Sequence, residues 1–444
     1  MAKDLGIELL LDSESIDRKI PQLSRRATSL LKYYNVEPFV FVRTPHLTNN
    51  QMLQHIPTID VIRENGKMSY IKVPNKQFMA EHAVGKFTDL YVQKLGELLF
   101  KKTILKAEET KPIELAFIQA SLNEFSGRNL LVTENKVLLT NRKWFEGRFS
   151  SPLNIVSMEE AAEFIDLLFK FNSKFVISSH SYTSKHLWYW LSFRCKIPNY
   201  NVDTSKLSNI KLEDLFQNTI LDAFSQRVCF LLMCIDEIGF QRYSVVNNDT
   251  MEDMVYHFNY FITLITGVFD SLAIQTFNKY GLTFEGSNNP SRISLNSNTG
   301  KEFLKALKLN NPALRQHIQD NADLIKAPYL LRDLVIHRES LHGHNFNVNG
   351  WKANLLYVHK DFVECLKRLG DKYETYNEIT KFGIYSGSFL CPYQFAKTLA
   401  CSLFNFCNIY LQLLGYTNFI EDTKNPNDSF FKTFDIFKED NLGF

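Results

Sequence analysis

The sequence predicts an α+β protein in two parts: an α/β domain over residues 1–205 and an all-α domain over residues 206–444. Three observations lead there. Strand-like and helix-like segments alternate at short intervals between Asn129 and Phe171, as a βαβ arrangement requires. Beyond residue 210, apolar residues recur almost throughout at spacings of three and four, the helical period. Between these textures lies IPNYNVDTSKLSN (197–209), polar and broken by Pro and Asn, which reads as a linker. A chain of 444 residues with 45% hydrophobic and 22% charged residues holds enough apolar material for more than one core. Disordered, collagen-like and coiled-coil classes are excluded on the same grounds.

In chain order, PFVFV (38–42) predicts a short strand, and IDVIRENGKMSYIKV (59–73) a hairpin turning at Asn65-Gly66. Residues 83–105 read as a helix. NLLVT (129–133) predicts a buried strand, 136–149 a helix and 153–156 a second strand. Ser157 with Glu160 forms a capping box that opens a helix over SMEEAAEFIDLLFKF. The later segments predict helices over 211–224, 226–240, 250–281, 298–309, 312–325, 328–342 and 392–415, with a loop over 281–300. Asn345, Asn347, Asn349 and Gly350 lead into the apolar strip 355–358, and so predict a small insertion between helices, within 343–390.

Charge narrows the function classes. Lys plus Arg total 50 against 48 Asp plus Glu, a formal charge of +2. A nucleic-acid site must therefore be a local patch, not a global field. The seven Cys include no CxxC pair and mostly sit among apolar neighbours, which predicts reduced, buried thiols and no zinc ribbon or disulfide framework. The N-terminus carries acids beside a very short apolar run, unlike a signal peptide. Val228–Ile235 and Phe261–Ile265 fall far short of the roughly 20 apolar residues that span a bilayer. The expectation is a cytoplasmic protein with no membrane contact and no cofactor.

The segment richest in chemistry is KAPYLLRDLVIHRESLHGH (326–344). Pro328 suits the first turn of a helix and Gly343 the position just past its end, which predicts one helix over 328–342. Arg332 and His337 lie about 140° apart around such a helix, at roughly 100° per residue. Both side chains can lean into one cleft. The helix C-terminus favours the protonated form of His337. A histidine that moves a proton beside an arginine that cannot lose its charge suits phosphodiester cleavage.

Arg332-Asp333-Leu334-Val335-Ile336-His337 resembles the Arg-X4-His motif of HEPN-domain ribonucleases. The helix at 251–281 is similar to the first long helix of that family, in particular at Gly267-Val268-Phe269-Asp270-Ser271-Leu272-Ala273. The segment from Pro392 to Gly415 is similar to the family's last helix. The resemblance spans about 250–415 and departs from the family at the insertion. It implies metal-independent RNA cleavage in a homodimer, with the substrate's 2′-hydroxyl as nucleophile and a cyclic phosphate as product. His337 would be the acid or base, Arg332 would hold the phosphate and Asp333 would orient one of them. Arg338 beside His337 is a further candidate RNA contact. Proteins of this build resemble bacterial toxins and abortive-infection factors, which implies an activator or antitoxin partner.

Other readings stay open. The helical domain could serve only to bind RNA or protein and dimerise. Residues 129–165 faintly resemble the end of a PIN nuclease, with Glu134 in the acidic position and Asp12, Asp60 and Asp89 as guesses for the carboxylates such a metal site needs. SYTSKHLWYWLSFR (181–194) sets Lys185, His186 and Arg194 beside Trp188, Tyr189 and Trp190, a composition that suits either base stacking or an ordinary aromatic core. His337, His342 and His344 lack the spacing of a helical metal pair.

Overall fold

The structure is a computed structural model. It describes residues 7–33, 39–64, 67–73, 76–79, 129–146, 154–178, 181–200, 212–244, 246–283, 292–337, 341, 343–348, 351–370 and 379–416. Within these the chain mixes sheets and helices and is mostly helical. It divides into two compact units: residues 1–182 with 347–351 and 436–444, and residues 183–346 with 352–435. The division at Tyr182/Thr183 precedes the linker expected at 197–209. The reason is local: the helix over Lys185–Lys196 packs against the long helix that follows and belongs with it. The predicted helix over 83–105 and the turn at Asn65-Gly66 lie outside the described residues.

The first unit is built on a parallel sheet of strands β1 (Ile7–Leu11), β2 (Phe39–Arg43), β6 (Asn129–Val132) and β7 (Asn154–Val156) in the order β2-β1-β6-β7. A separate antiparallel meander joins β3 (Asp60–Glu64), β4 (Lys67–Val73) and β5 (Lys76–Met79), and two short strands, β8 (Phe175–Ser178) and β9 (Ser181–Thr183), follow later in the chain. Strand β1 and helix α1 (Ser13–Lys19) answer to no element expected from the sequence. In IELLL a glutamate, Glu8, is followed by three consecutive leucines, so period-2 alternation gives no strand signal there. Leu9, Leu11, Phe41 and Val132 form a core with Ala161, Ala162, Ile165 and Phe169 of the helix Met158–Phe171. That helix begins at Ser157 with the expected capping box.

In the second unit, helix α6 (Lys185–Lys196) leads to α7 (Leu212–Tyr243) and α8 (Asn248–Tyr280). (Helices α2 to α5 are Arg25–Ser29, Gln51–Gln54, Lys136–Glu146 and Met158–Phe171.) The expected break at 225 is absent. LEDLFQNTILDAFSQRVCFLLMCIDEI contains neither Gly nor Pro, so nothing interrupts the hydrogen-bond ladder. The short connection at 244–247 makes α7 and α8 antiparallel. Helix α8 ends at Gly281, which adopts the left-handed conformation. One window of α8 is long and apolar enough to cross a bilayer, and 67% of it is buried within the protein itself. The apolar stretch is thus longer than the sequence suggested, because polar residues on the exposed side interrupt it in the linear reading.

Helices α9 (Lys301–Asn310), α10 (Pro312–Asp320) and α11 (Ala322–His337) follow. The expected helix boundary near Pro328 is not there. Pro328 lies inside α11, whose described residues are Ala322–His337. An interior proline forfeits one backbone hydrogen bond. Leu324, Ile325, Ala327 and Leu331 are all buried on either side of it, and this continuous burial offsets the loss. Helix α13 (Pro392–Leu413) runs parallel to α8: Phe395 meets Phe258, Phe406 meets Phe269, and the Tyr410 hydroxyl lies 2.6 Å from Thr276 Oγ1. These rings account for part of the high Phe and Tyr content as core packing.

The insertion folds as a four-stranded sheet, β10 (Gly343–Val348), β11 (Trp351–Tyr357), β13 (Phe389–Leu390) and β12 (Ile384–Tyr385) in that order, with α12 (Lys360–Arg368) between β11 and β12. Gly343 opens β10 and does not terminate a helix. Its need is space: a Cβ there would run into the Met251 Sδ of α8. Because a flexible thioether can retreat, Gly343→Ala should cost only about 1 kcal/mol, at the low end for overpacking. Chemical denaturation of the variant checks this, with a cost above about 3 kcal/mol against it.

Candidate functional site

The two segments singled out in the sequence, the Arg332 helix and the stretch 267–273, pack against each other in the second unit. Helix α11 presents Tyr329 and, one turn later, Arg332. The Arg332 guanidinium carbon lies 5.8 Å from the Tyr329 ring centroid. The Tyr329 hydroxyl donates to Asp270 Oδ1 of α8 at 2.6 Å. The Ser294 side chain hydrogen-bonds the same phenol. From α7, Arg227 reaches across α8, its Nη1 donating to Gly267 O at 3.3 Å and to Ser271 Oγ. Gly267 makes this crossing possible, since a Cβ there would stand 3.0 Å from Arg227 Nε.

The electrostatics follow from this geometry. Burial pushes the Asp270 carboxyl above its ordinary value, while the Tyr329 hydroxyl, Arg332 and Arg227 pull it back down. Burial, and after it the Asp270 charge, push the Tyr329 phenol up. Two guanidinium charges therefore surround one carboxylate that is held less acidic than usual. Such a site carries surplus positive charge and can accept an anion, with arginine the side chain suited to phosphate.

Arg332 is half-buried in this cluster and Asp333 is exposed. The carboxylate that faces Arg332 is Asp270, from another helix. His337 is the last described residue of α11; its side chain, and all of Arg338 and His342, lie outside the described residues. His344 is exposed on β10. Asp270, Tyr329 and Arg227 were not singled out as site residues. Tyr329 precedes Arg332 by three residues, a helical-face spacing, and Asp270 stands within the stretch already noted. Arg227 has no comparable signal.

Lys185 and His186 are exposed in the first turn of α6, but the aromatic residues beside them do not form a platform. Trp188 is 1% exposed and Tyr189 3%. The Tyr189 hydroxyl donates to buried Asp236 at 2.8 Å. Arg194 is buried, with its guanidinium 5.0 Å from the Trp190 ring centroid. The aromatic face of this helix is core: Trp188 is buried, and Tyr189 and Phe193 meet Asp236 and Phe224 of α7.

In the first unit, Asp12 and Glu134 stand at the carboxyl ends of adjacent strands β1 and β6, yet both are engaged within the fold. Asp12 is buried; its Oδ2 accepts from Thr133 Oγ1 at 2.7 Å and its Oδ1 from the Ser15 amide. Glu134 accepts from the Met158 amide at 2.9 Å, and burial raises its pKa. The Asp60 side chain and all of Asp89 lie outside the described residues. Among the described residues, no group of three or more His, Cys, Asp or Glu is placed to hold a metal ion. No family model matches the chain, and neither curated proteins nor solved structures match it.

Proposed function

We propose that the second unit is a HEPN-like endoribonuclease that cuts RNA without a metal ion. The observation that supports this reading is the meeting of Arg332 with Asp270, Tyr329 and Arg227, a surplus-positive cluster one and a half turns from His337. In this scheme His337 accepts the proton of the substrate's 2′-hydroxyl. That oxygen attacks the adjacent phosphorus, the bond to the 5′-oxygen breaks, and a cyclic phosphate and a 5′-hydroxyl remain once the leaving oxygen is protonated. Arg332 balances the charge that gathers on the phosphate oxygens. A homodimer would set two such helices around one cleft. Bacterial defence or toxicity is the biological setting the resemblance suggests, with an activator or antitoxin as partner.

The purified full chain incubated with total RNA in excess EDTA tests this. Cleavage that persists and leaves cyclic-phosphate ends is the expected result. Cleavage abolished by EDTA, or leaving 3′-hydroxyl ends, would refute it.

A further inference from the structure

We infer that Arg227 is a second phosphate-holding residue, set to grip a backbone phosphate next to the one held by Arg332, an inference that rests on the reading of the second unit as an RNA-cutting domain. The two arginines meet one turn of α8. Arg227 comes from α7 and lies along Gly267 and Ser271. Arg332 comes from α11 together with Tyr329, whose hydroxyl binds Asp270. Positions 267 and 271 are about 6 Å apart along the helix axis, at about 1.5 Å per residue. Asp270 stands between them in sequence and is acted on by both guanidinium charges.

Pairing sets these two arginines apart. Elsewhere in the fold, Arg142, Arg292 and Arg368 close ion pairs with Glu160, Glu302 and Asp323. Among the described residues, neither Arg227 nor Arg332 closes one with Asp270, whose hydrogen-bond partner is the Tyr329 hydroxyl. Arg227 spends one nitrogen, Nη1, on Gly267 O and Ser271 Oγ. Its Nε and Nη2 meet no partner among the described residues, and neither is sealed in the interior. Those two nitrogens form an edge that can hold two phosphate oxygens side by side. The tie to α8 already fixes the side chain, so less freedom is left to lose on binding. Gly267 keeps the place open. A Cβ there would stand 3.0 Å from Arg227 Nε and 3.2 Å from its Cδ.

Charge argues for two phosphates and not one. A phosphate set midway between the arginines would rest against the Asp270 carboxylate and be repelled. One phosphate at each guanidinium leaves Asp270 between two cations. A lone small anion fills half of such a site, whereas successive phosphates of one strand fill both halves.

The salt dependence of binding counts phosphate contacts without any cutting. Full-length protein carrying His337→Ala is titrated in EDTA with a fluorescein-labelled uridylate octamer, read by anisotropy, from about 50 to 200 mM KCl. Each phosphate contact to a single strand adds about 0.7 to the steepness with which log affinity falls against log salt. Arg227→Gln should weaken binding about tenfold, the loss of one charged hydrogen-bonding group, and flatten the slope by about 0.7. Arg332→Gln should do the same. The two together should flatten it by about 1.4, as separate phosphates require. Arg227→Lys keeps the charge, so it should keep the slope and recover part of the affinity. Gly267→Ala displaces the guanidinium but suits a helix better than glycine does. It should weaken binding in a protein that melts close to the parent temperature. An unchanged slope in folded Arg227→Gln would mean that Arg227 only ties α7 to α8, and would overturn the inference. So would a double variant no flatter than the single ones, an oligoglutamate of equal charge that binds as tightly as the uridylate, or no binding of the uridylate at all. Should Arg227→Gln fail to fold, Gly267→Ala decides, with unchanged affinity going against the inference. If the slopes behave as expected and the wild type never cuts RNA, the cleavage reading fails alone. If the wild type cuts RNA and Arg227→Gln keeps the full slope, the inference about Arg227 fails alone.

Discussion

Replacing His337 or Arg332 with alanine is expected to slow RNA cleavage about a hundredfold or more while leaving the fold and the metal independence untouched. Removing a general acid or base ordinarily costs about two to four orders of magnitude, and removing a donor that meets developing charge costs a similar amount. The two losses should not add. Both side chains serve one transition state, so the double variant should resemble the worse single one. Arg332→Lys separates charge from geometry. Lysine keeps the positive charge but lacks the planar fork that grips two phosphate oxygens, and it should recover only a minor part of the rate. The measurement is single-turnover cleavage of a defined RNA in EDTA, beside melting curves for each variant. Full activity in either alanine variant would remove the motif from the mechanism.

The expectation for Arg332 came from a local pattern, and its neighbours show why local patterns stop short. Arg332 and Tyr329 share a helix, so their proximity follows from a spacing of three. Asp270 reaches them only because α8 and α11 pack, 59 residues apart in sequence at the Tyr329–Asp270 contact. No linear spacing encodes that distance. The same division holds for the fold. The capping box at Ser157 and the strand at Asn129–Val132 were legible because their signals are confined to a few residues. Strand β1 was not, since its parallel partners β2 and β6 lie far along the chain and its own Glu8-Leu9-Leu10-Leu11 sequence does not alternate. Pro328 misled in the opposite direction. Its local preference marks a helix start, but tertiary burial of Leu324, Ala327 and Leu331 carries the helix through it. The insertion was visible as a change of composition, while the pairing register of its strands is defined only in the folded sheet.

Asp270→Asn and Asp270→Ala should part company, and the difference reads the balance of charge inside the site. Burial is the largest influence on the Asp270 carboxyl and outweighs the attraction of Arg332 and Arg227. Its folded pKa therefore stands above the ordinary value of 3.8. A carboxyl shifted this way binds its proton more readily in the fold than in the unfolded chain. Its contribution to stability is greatest below the unfolded value and is lost as pH rises through the folded one. Asparagine imitates the protonated form. It keeps an oxygen to accept the Tyr329 hydroxyl and removes the cost of a half-buried charge. At pH 7, Asp270→Asn should unfold at or above the wild-type temperature, and its stability should lack the decline that the wild type owes to this group. Alanine removes the acceptor altogether. It strips the Tyr329 hydroxyl of its carboxylate partner and should cost about 2 kcal/mol, the usual loss when a buried donor is stranded. Cleavage should follow a different order. Neither variant holds Arg332 by opposite charge, so both should cut more slowly than wild type, including the asparagine form that folds as well or better. Thermal melts from pH 4 to pH 8, set beside cleavage rates at one pH, separate the two effects. Equal destabilisation by asparagine and alanine would mean that the charge itself supports the fold, and that Arg227 and Arg332 outweigh burial at Asp270.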